Sequence, residues 1–235
     1  MKYNLFSDVF GEFGRMSKQA WKIMGLVGLV TAASDVLGWW SGPGLSPIDY
    51  LTTVVTVPLR LYAAYHAGIL MVSRKTSIVG FLRFVGASFA LYSLFLLGIL
   101  GLFGLLPSPN KTLIVTACLT LLFVGWLAVV FLPAWPIAQA LSSGLVSPTR
   151  LLRGTKGHRW SLFLIFFVYG SLTKIVPSTM KATNIVEAIL YAMGGSVVSV
   201  FSFTFFVALS VTAWRYASFN DKELYGDEPR AANVF

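Results

Sequence analysis

Four ionisable side chains, Asp35, Arg60, His66 and Glu187, lie inside long apolar stretches of this 235-residue chain, Glu187 at the opening of its own. In a bilayer each such group costs about 3 kcal/mol or more unless it is paired or hydrated, so it marks an ion path, a proton relay or a counter-ion by default. Arg60 stands out, because a guanidinium does not deprotonate and must find a partner or water. It lies about eleven residues into its stretch, roughly 16 Å at 1.5 Å per residue, near mid-membrane. Two arrangements follow. Asp35 and Arg60 can line a polar cavity or meet an anion, or they can form a structural ion pair between adjacent helices, with outward snorkelling of the arginine as a variant. His66, one and a half turns on, is a weaker candidate for a proton relay.

The residues of familiar catalytic sets do not assemble in the same way. The second histidine, His158, belongs to a loop, and no Cys, His and Asp set has metal-ligand spacing, so neither a metal nor another cofactor is expected. Gly194-Gly195-Ser196-Val197 is superficially like the serine segment of an intramembrane protease, but that chemistry needs a histidine placed to activate the serine. Gly154-Thr-Lys-Gly157 lacks the leading glycine and the Lys-Ser/Thr ending of a phosphate-binding loop. The expectation is a non-enzyme.

The elements that carry these residues are helices. Candidate spans cover 21–40, 49–72, 78–105, 112–141, 159–176 and 184–214. Each has the roughly 18 apolar residues that a hydrocarbon core about 30 Å thick requires. Backbone amides cannot stay unpaired in lipid, and strict alternation is missing, so helices and not barrel strands are expected. The chain is 56% hydrophobic and 11% charged, where soluble domains carry about 25% charged residues. The fold class is therefore all-α: a polytopic transmembrane bundle of about six spans. Residues 1–20 form an N-terminal interfacial amphipathic segment, with Leu5, Phe6, Val9, Phe10, Phe13 and Met16 on one face and Asp8 and Glu12 on the other. Residues 21–215 form the membrane domain and 216–235 a polar tail.

The net charge of +9 is a topology signal rather than a nucleic-acid footprint. With six spans, fourteen of the eighteen Lys and Arg residues share one side with both termini, and three (Lys111, Lys174, Lys181) face the other. By the positive-inside rule the termini are cytoplasmic. In the longest loop Arg150, Arg153, Lys156 and Arg159 are candidates for lipid-headgroup contact. Trp39, Trp40 and Tyr50 read as interfacial anchors on the opposite side. Glu187 reads as half of an exposed pair with Lys174 or Lys181.

Small residues recur where helices are expected to meet. Ala63, Ala67 and Gly68 provide close contact on the second span, Gly98, Gly101 and Gly104 stripe the third, and Gly194, Gly195 and Ser199 thin the sixth. The lone Cys118 reads as a small packing residue. Pro133 and Pro136 must distort the fourth span, because each removes a backbone donor. Pro58 followed by Val72-Ser73, and Pro133 followed by Val146-Ser147, are a faint internal echo of each other.

The runs Leu132-Pro-Ala-Trp-Pro-Ile-Ala and Ser147-Pro-Thr-Arg-Leu-Leu-Arg-Gly-Thr-Lys-Gly-His-Arg-Trp160 carry a family resemblance, with Val72-Ser-Arg-Lys, Phe81-Leu-Arg-Phe84 and Ala213-Trp-Arg-Tyr216 in support. Over most of its length the chain resembles the YciC-like families of bacterial six-span membrane proteins, which include the membrane domain joined to some glycerophosphodiester phosphodiesterases. The resemblance implies a bacterial inner-membrane location and a fold, and brings no catalytic residue. Together these readings lead to an accessory or scaffold subunit of a membrane complex, or an envelope-maintenance factor, whose partners are membrane lipids and another membrane subunit or a second copy. The alternative is a small transporter or channel, oligomeric or not, with a polar passage near Asp35, Arg60 and His66.

Overall fold

The computed structural model describes residues 5–42, 47–102, 111–142, 144–172 and 178–221. It is 87% helical, with no strand among those residues. Nine α-helices are described: α1 Leu5–Gly14, α2 Lys18–Ser41, α3 Pro47–Met71, α4 Ile78–Leu102, α5 Lys111–Phe131, α6 Trp135–Leu141, α7 Pro148–Gly154, α8 Arg159–Leu172 and α9 Ile185–Asn220. Five of them, α2, α3, α4, α5 and α9, contain segments long and apolar enough to cross a membrane. The chain is thus an all-α bundle of the multi-pass membrane type. The stretch expected as a fifth span folds as α8, fourteen residues or about 21 Å, and 173–176 lie outside the described residues. Gly104, Lys174 and the tail from 222 onward also lie outside them.

Two compact units are formed, each from two parts of the sequence. The first comprises residues 1–76 and 164–212. Here α2 packs along α3. Ser17 caps α2, its side chain accepting from Ala20 N–H at 3.1 Å. Gly28 lets α2 approach α9, because a Cβ there would fall 2.6 Å from Val200 Cγ2. Pro58 lies within the helical run of α3. That helix ends with Ser73 at φ +56°, Ser73 N–H bonding Leu70 O and Arg74 N–H bonding Ile69 O, the paired bonds of a Schellman stop. At the start of α9, Asn184 Oδ1 accepts Glu187 N–H, while Glu187 Oε2 accepts Thr183 N–H at 2.7 Å and Oε1 accepts Tyr191 O–H at 2.7 Å. Glu187 therefore serves as a helix cap, its carboxylate taken up by Thr183 N–H and Tyr191 O–H, while Lys174, one of its two expected partners, lies outside the described residues.

The N-terminal helix departs from its sequence reading in its choice of face. Phe10 and Phe13 do meet α9, with ring centroids 5.3 Å from Phe205 and 5.1 Å from Phe201. The deeply buried row, however, is Leu5, Val9, Glu12 and Met16, and Glu12 is only 5% exposed while Phe10 is 44% exposed. The offsets of four, three and four put Glu12 on the inward stripe, where Arg15 lies 3.6 Å from its carboxylate.

The second unit comprises residues 77–163 and 213–235, with α4 packed on α5 and α6. Gly98 and Gly101 of α4 accommodate Leu122 and Cys118 of α5, and Gly125 of α5 accommodates the backbone of Phe95. Cys118 is buried, as a packing residue should be. The expected single span 112–141 is instead two helices, α5 and α6, interrupted at 132–134. Pro133 cannot bond to Val129 O, and Pro136 cannot bond back to Leu132 O, which Trp135 N–H takes instead. Two losses three residues apart break the helix where one proline, Pro58, is absorbed, and the two halves of the internal echo are therefore unlike. Beyond α6 the chain is tied back: Trp135 Nε1 and Gln139 Nε2 both donate to Val146 O, at 2.9 and 2.7 Å, and Arg83 donates to Ser142 O.

Candidate functional site

Two groupings of the expected residues emerge, one in each unit. In the first unit, Thr31 and Asp35 stand one turn apart on α2, a spacing that puts both on the face turned to α3. Arg60 of α3 donates through Nη2 to Thr31 Oγ1 at 3.2 Å. It also acts electrostatically on Asp35. The direct partner of the arginine is thus a threonine, with the carboxylate engaged through space. Asp35 and Arg60 are half-buried. His66 is not part of this group: six residues on, it is turned about 120° around the helix from Arg60. It stacks instead on Tyr62, with centroids 5.5 Å apart and planes 13° from parallel.

The helix-packing candidates divide. Ala63, Ala67 and Gly68 are buried, consistent with small-residue contact. Gly194, Gly195 and Ser199 are half-buried, and a Cβ on Gly195 would meet nothing within 4 Å. Gly195 is therefore not where helices of this chain close on one another. Gly28, Gly98, Gly101, Gly125 and Gly154 are; Gly125 and Gly154 have no small residue four positions away and so give little signal in sequence, whereas Gly28 is followed by Ala32.

The second grouping is the basic turn. α9 is 36 residues long, about 54 Å, against a hydrocarbon core of about 30 Å. It is longer than that core is thick, and in the second unit its last turns carry α7. A Cβ on Gly154 would lie 2.8 Å from Ala217 Cα, so helix meets helix at backbone distance. His158 stacks on Tyr216 with centroids 4.4 Å apart and planes 9° from parallel. Arg150 makes a two-pronged hydrogen-bonded pair with Asp221, through Nε to Oδ2 and Nη2 to Oδ1. The partner stands 71 residues away in sequence. Of the four expected headgroup cations, Arg150 is thus spent on an internal carboxylate. Arg153 and Lys156 are exposed, and Arg159 is exposed with Nη2 on Leu152 O at 3.0 Å.

A bidentate, half-exposed pair of this kind is worth about 1 kcal/mol. Asp221→Asn is therefore expected to raise tryptic cleavage after Arg153 or Lys156 about fivefold, since cleavage follows the population of the opened turn. An unchanged rate would show that the stack and the Gly154 contact hold the turn without the pair.

Among the described residues, no group of three or more His, Cys, Asp or Glu side chains is placed to hold a metal ion. No family model, curated protein or solved structure matches the chain.

Proposed function

We propose that this chain is a non-enzymatic protein of the bacterial inner membrane, with both termini cytoplasmic, acting as an accessory or scaffold subunit of a membrane complex or as an envelope-maintenance factor. Kinship with the YciC-like six-span proteins is part of this reading. The observation that carries it is the use made of Arg60, the most conspicuous intramembrane charge. Its hydrogen bond joins α3 to Thr31 of α2, and its charge is met by Asp35 of the same helix. A guanidinium used to hold two helices together supports an architectural role for the polar residues.

The partner face is the N-terminal half of α9. Val186, Leu190, Met193 and Val197 are exposed there at offsets of four, three and four, the seam of an unpartnered helix. Gly195 adds open space next to that seam. Purification from native membranes in a mild detergent, with mass spectrometry of everything that accompanies the chain, tests the proposal. A stoichiometric membrane protein lost on Met193→Trp and Val197→Trp supports it. A solitary chain overturns the subunit role, and flux abolished by Arg60→Ala in a still-folded protein would establish the transporter reading instead.

A further inference from the structure

The exposed side of the basic turn forms a regular surface. Leu151, Gly154 and Thr155 point inward and are buried, and His158 is stacked on Tyr216. Arg153 and Lys156 between them, and Arg159 and Trp160 directly after, are exposed. The inward set holds the turn on α9 at backbone distance, so the three cations are displayed from a fixed frame. Less ordering entropy is then lost on binding than a loose loop would lose. The charge is uncompensated by local sequence: no Asp or Glu occurs between Asp49 and Glu187. Among the described residues, the carboxylate that reaches the turn is Asp221, and it is committed to Arg150. Two large apolar side chains of the same segment are exposed, Trp160, which follows Arg159 and meets the Phe163 ring edge-on, at 77% and Leu145, ahead of α7, at 92%.

We infer that Arg153, Lys156 and Arg159, with Trp160, form a binding site for the phosphate headgroup of an anionic glycerophospholipid. A nucleic acid or an acidic protein would satisfy the cations but gives no reason for the largely exposed tryptophan next to Arg159. Lipid satisfies both, because an indole settles at headgroup depth while arginine and lysine meet the phosphates. The chain also enters an apolar helix at Arg159, so the cations stand where that helix begins. Arg150 is excluded from the site by its carboxylate.

This inference deepens the proposed function and rests on its placement of the turn at the cytoplasmic membrane face. The test uses the full chain in mixed micelles, measuring retention of phosphatidylglycerol against phosphatidylcholine by native mass spectrometry. Three cation contacts with an anionic headgroup amount to about a hundredfold preference. R153Q/K156Q/R159Q is expected to abolish it, whereas K18Q/K22Q/K75Q, which removes as much charge elsewhere, is expected to leave it intact. Should the triple variant not fold, R153Q/K156Q retains the Arg159 bond to Leu152 and is expected to lose about thirtyfold. No preference in the native chain, equal loss in the control variant, or displacement of the lipid by free glycerol phosphate at equal concentration would each overturn the site. A stoichiometric protein partner found with no lipid preference would remove the site alone and leave the proposed function standing.

Discussion

Gly125→Ala is expected to lower the thermal unfolding midpoint in detergent, although alanine is the better helix former. The propensity term favours alanine by about 1 kcal/mol. Against it, the new methyl carbon would stand 2.8 Å from the backbone N of Phe95 and 3.1 Å from its Cα. Those atoms belong to the main chain of α4 and cannot rotate aside, so the helix must move. Overpacking of this sort costs about 1–3 kcal/mol, and more where backbone rather than side chain is displaced. The packing term wins, with a net loss of about 2 kcal/mol. Gly195→Ala is the internal control: nothing lies within 4 Å of its added carbon, so only the propensity gain remains. Helical circular dichroism against temperature on both variants decides the matter. A Gly125→Ala protein as stable as the parent would mean that α4 and α5 do not approach at Phe95.

Arg60→Ala is expected to cost about 3 kcal/mol, and Asp35→Asn in the same chain to recover most of it. Exposure on a membrane helix is exposure to lipid, so a half-buried charge there is not screened as it would be in water. Removing the guanidinium leaves the Asp35 carboxylate without its opposing charge; Asp35 stands six residues from the end of α2, where an unpaired carboxylate costs up to the roughly 3 kcal/mol of a helix centre. It also leaves Thr31 Oγ1 without its donor. Neutralising Asp35 removes the larger penalty, and Arg60→Gln with Asp35→Asn is expected to behave close to the parent. The measurement is a double-mutant cycle on thermal midpoints, whose coupling term isolates the pair. Additive losses would show that the two charges do not depend on each other, and would return Arg60 to the snorkelling arrangement.

The chain's own residues determined its class, because the requirement that every backbone amide be paired in lipid leaves no freedom over stretches of 20 apolar residues. The helices α2, α3 and α4 appear where that rule puts them, within a few residues at each end, and α9 begins where expected but runs six residues further. Asp35 and Arg60 were legible as a pair of interest for the same reason, since an unpaired charge in lipid is a local cost visible in a linear string. Thr31 was legible in principle, lying one turn before Asp35, but a threonine carries no penalty that draws attention. The break at Pro133 was half legible: the missing donors can be counted, yet whether a helix bends or parts depends on what takes up the freed carbonyl, here Trp135 N–H.

What tertiary structure alone decided is everything that depends on which surfaces meet. The inward turn of Glu12, the use of Gly28, Gly125 and Gly154 rather than Gly195 at close approaches, and the capture of Arg150 by Asp221 all involve partners remote in sequence. A periodic pattern records how polar a face is, not what it faces. A glycine is needed only where another backbone arrives, and a cation is free only if no carboxylate folds back to it. The four basic residues of the turn were alike in the sequence. Asp221, just beyond the end of α9, made one of them structural and left the other three exposed.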